Sequence, residues 1–177
     1  MNKATLNGWV LKFKRSRDNL LLMIIFTIVN LLLIYFNSDF YLLFSATIPT
    51  IGLAVGIELG NAFLWIGAIF AIVLVGFYLG CWAFSKKIRI LILLAFIFFT
   101  IDTALLIVLM LIVEFDVMML IDLAFHIWIL YYLYHGAMAW SKIRDISEEE
   151  FALALANITI TEEKIIKEAT KKEEKEQ

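Results

Sequence analysis

Charge is scarce in this 177-residue chain: 18% of its residues are Asp, Glu, Lys or Arg, against roughly 25% in an average globular domain. Proline occurs once, and so does cysteine, as Cys81. A single cysteine excludes an intrachain disulfide framework. There is no basic excess, the formal net charge being −2, which argues against nucleic acid as a partner. No HExxH, paired-cysteine, GxSxG or glycine-rich phosphate motif occurs, so hydrolytic and phosphoryl-transfer chemistry lack their usual residue sets. What fills the chain instead is 63% hydrophobic and 15% aromatic residues, with a mean hydropathy of +0.90. That composition belongs to a protein embedded in a lipid bilayer.

A hydrocarbon core of about 30 Å requires roughly 20 apolar residues of helix. Five runs with at most one charged residue approach that length, at 20–36, 40–57, 62–84, 90–113 and 117–134. Their continuous apolarity predicts helices, because the strands of a membrane barrel alternate polar and apolar residues. The first run follows basic residues as a signal peptide would, but it lacks a small-residue cleavage site and is read as a retained span.

Charge placement decides how many runs cross. Between Leu20 and Trp140 the only basic residues are Lys86, Lys87 and Arg89, and the connections holding Asp39, Glu58, Glu114 and Asp116 carry acids only. With the basic N-terminus cytoplasmic, five crossings would place 86–89 outside, against the positive-inside rule. Four crossings remove the conflict. The run to demote is 40–57, which holds Ser45, Thr47, Pro49, Thr50, Gly52 and Gly56 and is suited to a re-entrant or broken segment. The expected fold is therefore an all-α integral membrane protein with four transmembrane helices plus one re-entrant segment, five crossings being the alternative. Both termini are then cytoplasmic at the plasma membrane. Tyr35, Phe36, Phe40, Tyr41 and Trp65 would mark the outer interface, and Trp82, Tyr131, Tyr132, Tyr134 and Trp140 the inner one.

Residues 1–18 read as an amphipathic interfacial helix, with Leu6, Trp9, Val10 and Phe13 on one face and Lys3, Lys12, Lys14 and Arg15 around it. Residues 19–140 form the transmembrane bundle, and 141–177 a charged cytoplasmic tail. In the tail, Ser147 and Glu150 resemble a capping box opening a short helix with Phe151 and Leu155, and Thr161 is placed to cap a second through Ile165, Ile166 and Ala169. The terminal KKEEKEQ has no apolar anchor.

Ionisable groups inside a bilayer are costly and turn toward the bundle interior. Asp102, Asp122 and His126 are therefore the candidate site, joined by Asn30, Thr100 and Thr103. Asp122 and His126 share a helix face at i, i+4. The short connection at 114–116 forces the last two runs to be antiparallel neighbours, which sets Asp102 and His126 at similar depths, roughly 16 and 14 Å from the outer end, with Asn30 at roughly 9 Å. With Ser45, Thr47 and Thr50 they would line an outward-facing polar site. Three uses compete: mutual hydrogen bonding between helices, a proton or cation site of a small transporter, and zinc ligation, which has the weakest case because His135 lies far from the other donors. No cofactor is indicated, and the identity of any metal is left open.

The stretches RSRDNLLL (15–22), TIVNLLL (27–33) and FSATIP (44–49) resemble a pattern in small uncharacterised multi-pass bacterial membrane proteins. The resemblance covers the first third of the chain, implies a bacterial plasma membrane and brings no activity with it. The reading that follows is an accessory or regulatory interaction subunit. The lipid bilayer and a larger membrane complex or homo-oligomer would be its partners. A small transporter or membrane ligand-binding component is the second reading.

Overall fold

The computed structural model describes the backbone of residues 2–38, 42, 44–113 and 117–176, and the side chains of these except at 162–166 and 169–176. Among these residues all regular structure is helical: α1 (Lys3–Tyr35), α2 (Thr47–Leu59), α3 (Asn61–Phe84), α4 (Leu91–Ile112), α5 (Val117–Ile143) and α6 (Glu148–Glu176). Helices α1, α3, α4 and α5 are long and apolar enough to cross a membrane. Helix α2 is shorter, its 13 residues reaching only about 20 Å at 1.5 Å per residue. Of the residues assigned above to connections and interfaces, Asp39, Phe40, Tyr41, Glu114 and Asp116 lie outside the described residues.

Contacts between side chains fix the register. Gly136 of α5 sits where a Cβ would overlap Ser16 of α1 and Ile92 of α4, so three helices converge on a position only glycine allows. Further along, His126 of α5 meets Asp102 of α4 at 3.2 Å, which makes α4 and α5 antiparallel. Phe77 and Tyr78 of α3 pack against Phe98 and Phe99 of α4. Arg17 of α1 bonds Ser85 and Trp82 at the end of α3. The end of α1, the α2–α3 turn and the start of α5 therefore share one end of the bundle, while residues 82–89 and 140–147 gather at the other.

Local chemistry explains the breaks. Helix α1 stops in a Schellman arrangement, with Asn37 at φ 53° and the Ser38 and Asn37 amides donating to Leu33 and Ile34 carbonyls, as an αL residue after the last turn permits. Gly60, at φ 66°, turns α2 directly into α3, and α2 then lies so close to α3 that a Cβ on Gly67 would strike the backbone of Gly52 and Gly56. Pro49 acts differently from the expected helix breaker. It occupies the first turn of α2, where its missing N–H costs nothing, so the irregular stretch precedes the proline.

At both ends of the chain the helices differ in detail from the sequence reading. The N-terminal amphipathic segment is not a separate helix, because no breaker follows Gly8 and α1 runs unbroken from Lys3 to Tyr35. Its apolar face is covered by protein: Leu6, Val10 and Phe13 are buried in one cluster with Phe151, Ala154 and Ile158 of α6, and the Phe13 and Phe151 rings meet edge to face at 5.7 Å. Trp9 is half-buried with Lys12 Nζ 4.4 Å from its ring centroid. The tail forms one 29-residue helix in place of two short ones. Ser147 Oγ accepts the Glu150 amide at 3.1 Å as an N-cap. Thr161 donates back to the Asn157 carbonyl at 2.8 Å, a bond that threonine makes inside a helix.

Candidate functional site

Helix α2 begins inside the bundle, at the level of Asp102 near the middle of α4. A helix start leaves unsatisfied N–H groups, and its cap residue Ala46 has no side-chain oxygen to offer. Other elements supply the acceptors. Asp102 takes the Thr47 amide on Oδ2 at 2.8 Å and the Ile48 amide on Oδ1 at 2.7 Å. Thr27 of α1 accepts the Ala46 amide at 2.9 Å and passes its own hydroxyl hydrogen to the Met23 carbonyl. Pro49 has no N–H, and thus every amide at the start of α2 is accounted for. A carboxylate at this position also faces the positive end of the helix dipole.

The approach to α2 is held in the same way. Asn30 accepts the Leu42 amide at 3.0 Å and donates to Ser45 Oγ at 2.9 Å. Asp122 Oδ1 accepts the Phe44 amide at 3.2 Å. Phe44 has φ 84°, a conformation costly for a bulky residue, and its ring stacks on Phe26 at 5.2 Å. Together these bonds hold Leu42, Phe44 and Ser45, which lie in no helix.

His126 sits at the centre. Its Nδ1 lies 3.0 Å from the Asp122 carbonyl, which can only accept, so Nδ1 carries a hydrogen. Its Nε2 lies 3.2 Å from both Asp102 Oδ2 and Thr47 Oγ1, so carboxylate, hydroxyl and imidazole meet at one point. Phe99 covers the ring face, nearly parallel at 5.1 Å. Asn30 and Asp102 have no exposed surface, and His126 and Asp122 are 1% and 4% exposed.

All four candidate residues, Asn30, Asp102, Asp122 and His126, therefore enter one network. Thr100 and Thr103 do not join it and instead donate to Phe96 and Phe99 carbonyls one turn back. No group of three or more His, Cys, Asp or Glu side chains among the described residues is arranged to hold a metal, and Asp102 already has both oxygens on backbone amides.

Sequence reasoning missed two buried cations at the opposite end. Arg17, 6% exposed, donates to Ser85 Oγ at 2.7 Å and to the Trp82 carbonyl at 2.9 Å, closing the end of α3. Arg89, 7% exposed, donates to the Ile143, Ile146 and Ser147 carbonyls and rests 4.5 Å from the Phe151 ring centroid. It closes α5 and fixes the elbow into α6. Burial lowers its pKa from the ordinary arginine value, opposed by nearby Glu148. The available signal was arginine, with its fork of donors, beside helix ends. Comparison with protein-family models, with curated proteins and with solved structures gave no match.

Proposed function

We propose that this chain is an integral protein of a bacterial plasma membrane with four crossings, in which residues 42–59 enter and leave on the outer side, and that it serves as an accessory or interaction subunit rather than an enzyme. Both termini and residues 85–89 are cytoplasmic in this arrangement, so the basic residues all lie inside. One observation carries the reading. Asn30, Asp122, Thr27 and Asp102 accept the backbone amides of Leu42, Phe44, Ala46, Thr47 and Ile48, a clasp that makes a broken segment tolerable where water is absent.

A transport reading keeps one specific support, the buried contact of Asp102 with His126 beside Thr47. Discontinuous helices with buried ends are a common site of ion coupling. The two readings separate in proteoliposomes containing the purified chain and an entrapped pH dye. The accessory reading expects no proton or cation flux attributable to the chain, and a stoichiometric complex or homo-oligomer on gentle extraction from native membranes. Flux that disappears in a folded Asp102→Asn variant would overturn it.

A further inference from the structure

A cleft of about 280 Å³ opens between the α3–α4 turn and the elbow joining α5 to α6, lined by Lys87, Arg89, Trp140, Arg144 and Glu148 among others. Three cations face one carboxylate there. Lys87 makes no ion pair among the described residues, and Arg144 reaches only its neighbour Asp145, at 3.5 Å with both side chains largely exposed. Arg89 spends its terminal nitrogens on neutral carbonyls, and its buried Nε has no hydrogen-bond partner. The cleft thus keeps positive charge that the protein does not neutralise.

Its surroundings say where that charge lies. Phe84, Ile88 and Ile90 on the adjoining turn are exposed apolar side chains, and Trp140 forms part of the wall. Apolar residues, an indole and a surplus of cations side by side are the composition of a surface at headgroup depth. The volume falls just under the roughly 300–1,000 Å³ of ordinary ligand cavities, room enough for a phosphate together with the headgroup it carries.

We infer that this cleft binds the phosphate of an anionic phospholipid headgroup, with Lys87 and Arg144 as its direct ligands and Arg89 as the fixed cation at its base. The site lies between the loop that ends α3 and the elbow that starts α6, so a bound headgroup would tie both to the bilayer surface. The inference rests on the membrane reading above, not on the number of crossings.

The test uses the full chain, delipidated in neutral detergent, titrated with phosphatidylglycerol, phosphatidylcholine or inorganic phosphate and followed by native mass spectrometry. The expected result is one phosphatidylglycerol held about tenfold more tightly than phosphatidylcholine, the preference lost in Lys87→Gln/Arg144→Gln and kept in Lys86→Gln/Lys142→Gln, which removes the same charge outside the cleft. Neither pair removes a buried hydrogen bond, and matching thermal unfolding would show both fold. Equal affinity for the two lipids, or equal losses in the two double variants, would overturn the proposal. Capture of inorganic phosphate without a lipid preference would overturn the headgroup as its source. Because detergent imposes no orientation, failure here is distinguishable from failure of the four-crossing arrangement, which cysteine labelling reads separately.

Discussion

Asp102 holds two backbone amides and touches an imidazole, so deleting its carboxylate strands three polar groups in the interior. Asp102→Ala is expected to cost about 3–5 kcal/mol, the range for breaking a buried, hydrogen-bonded charge pair, measured as unfolding of the purified protein. His126→Ala should couple to it, with an interaction energy of about 1–3 kcal/mol in a double-mutant cycle. Strict additivity would remove the contact. An apolar replacement of both residues, nearly neutral for an isolated pair, should remain destabilising here because the Thr47 and Ile48 amides stay unpaired. Gly136 makes a second residue-scale prediction. Gly136→Ala drives a methyl into Ser16 and Ile92 and should cost about 1–3 kcal/mol as overpacking does.

At the scale of elements, α2 and α6 are each held by partners remote in sequence. Thr27→Val removes the hydroxyl that accepts the Ala46 amide while keeping the shape of the side chain. Amide exchange should rise at 44–48 and stay unchanged in α4, and unchanged exchange at Ala46 would show that the bond does not hold the segment. Helix α6 depends on Phe151, wedged between Phe13 and Arg89. Phe151→Ala should speed proteolysis within 148–176 and leave the melting of α1–α5 close to that of the parent. Loss of the whole bundle would mean that α6 is integral to the core.

For the whole molecule, the arrangement of ends can be read by single-cysteine labelling in a Cys81→Ala background. Ser38→Cys and Asn61→Cys should react with an impermeant reagent from the same, outer face, and Lys86→Cys only after the cytoplasmic face is opened. Labelling of positions 38 and 61 from opposite faces would restore five crossings.

Much of the helical layout is legible in the sequence because lipid imposes a length: a helix must stay apolar for about 20 residues, and the runs at 62–84, 90–113 and 117–134 map onto α3, α4 and α5. The meeting of Asp102 with His126 was legible too, since three residues between two spans leave only an antiparallel hairpin. The partners of those side chains were not. Thr47 is 55 positions from Asp102, and nothing in local spacing says that its amide lacks an acceptor until the chain is bent into the bundle. Arg17 and Arg89 could be counted as inside charges from sequence, but their burial against carbonyls depends on which helix ends arrive beside them. The amphipathic face at Leu6, Val10 and Phe13 shows the same division. Its periodicity is a property of the sequence, whereas its occupant, α6 rather than lipid, follows from the elbow at Arg89 that folds the tail back over α1. The sequence by itself determined the class and the polar inventory, because transfer into lipid acts on each residue singly. Only the tertiary structure decided what each polar group holds, because a hydrogen bond needs a partner within about 3 Å and sequence distance does not measure that.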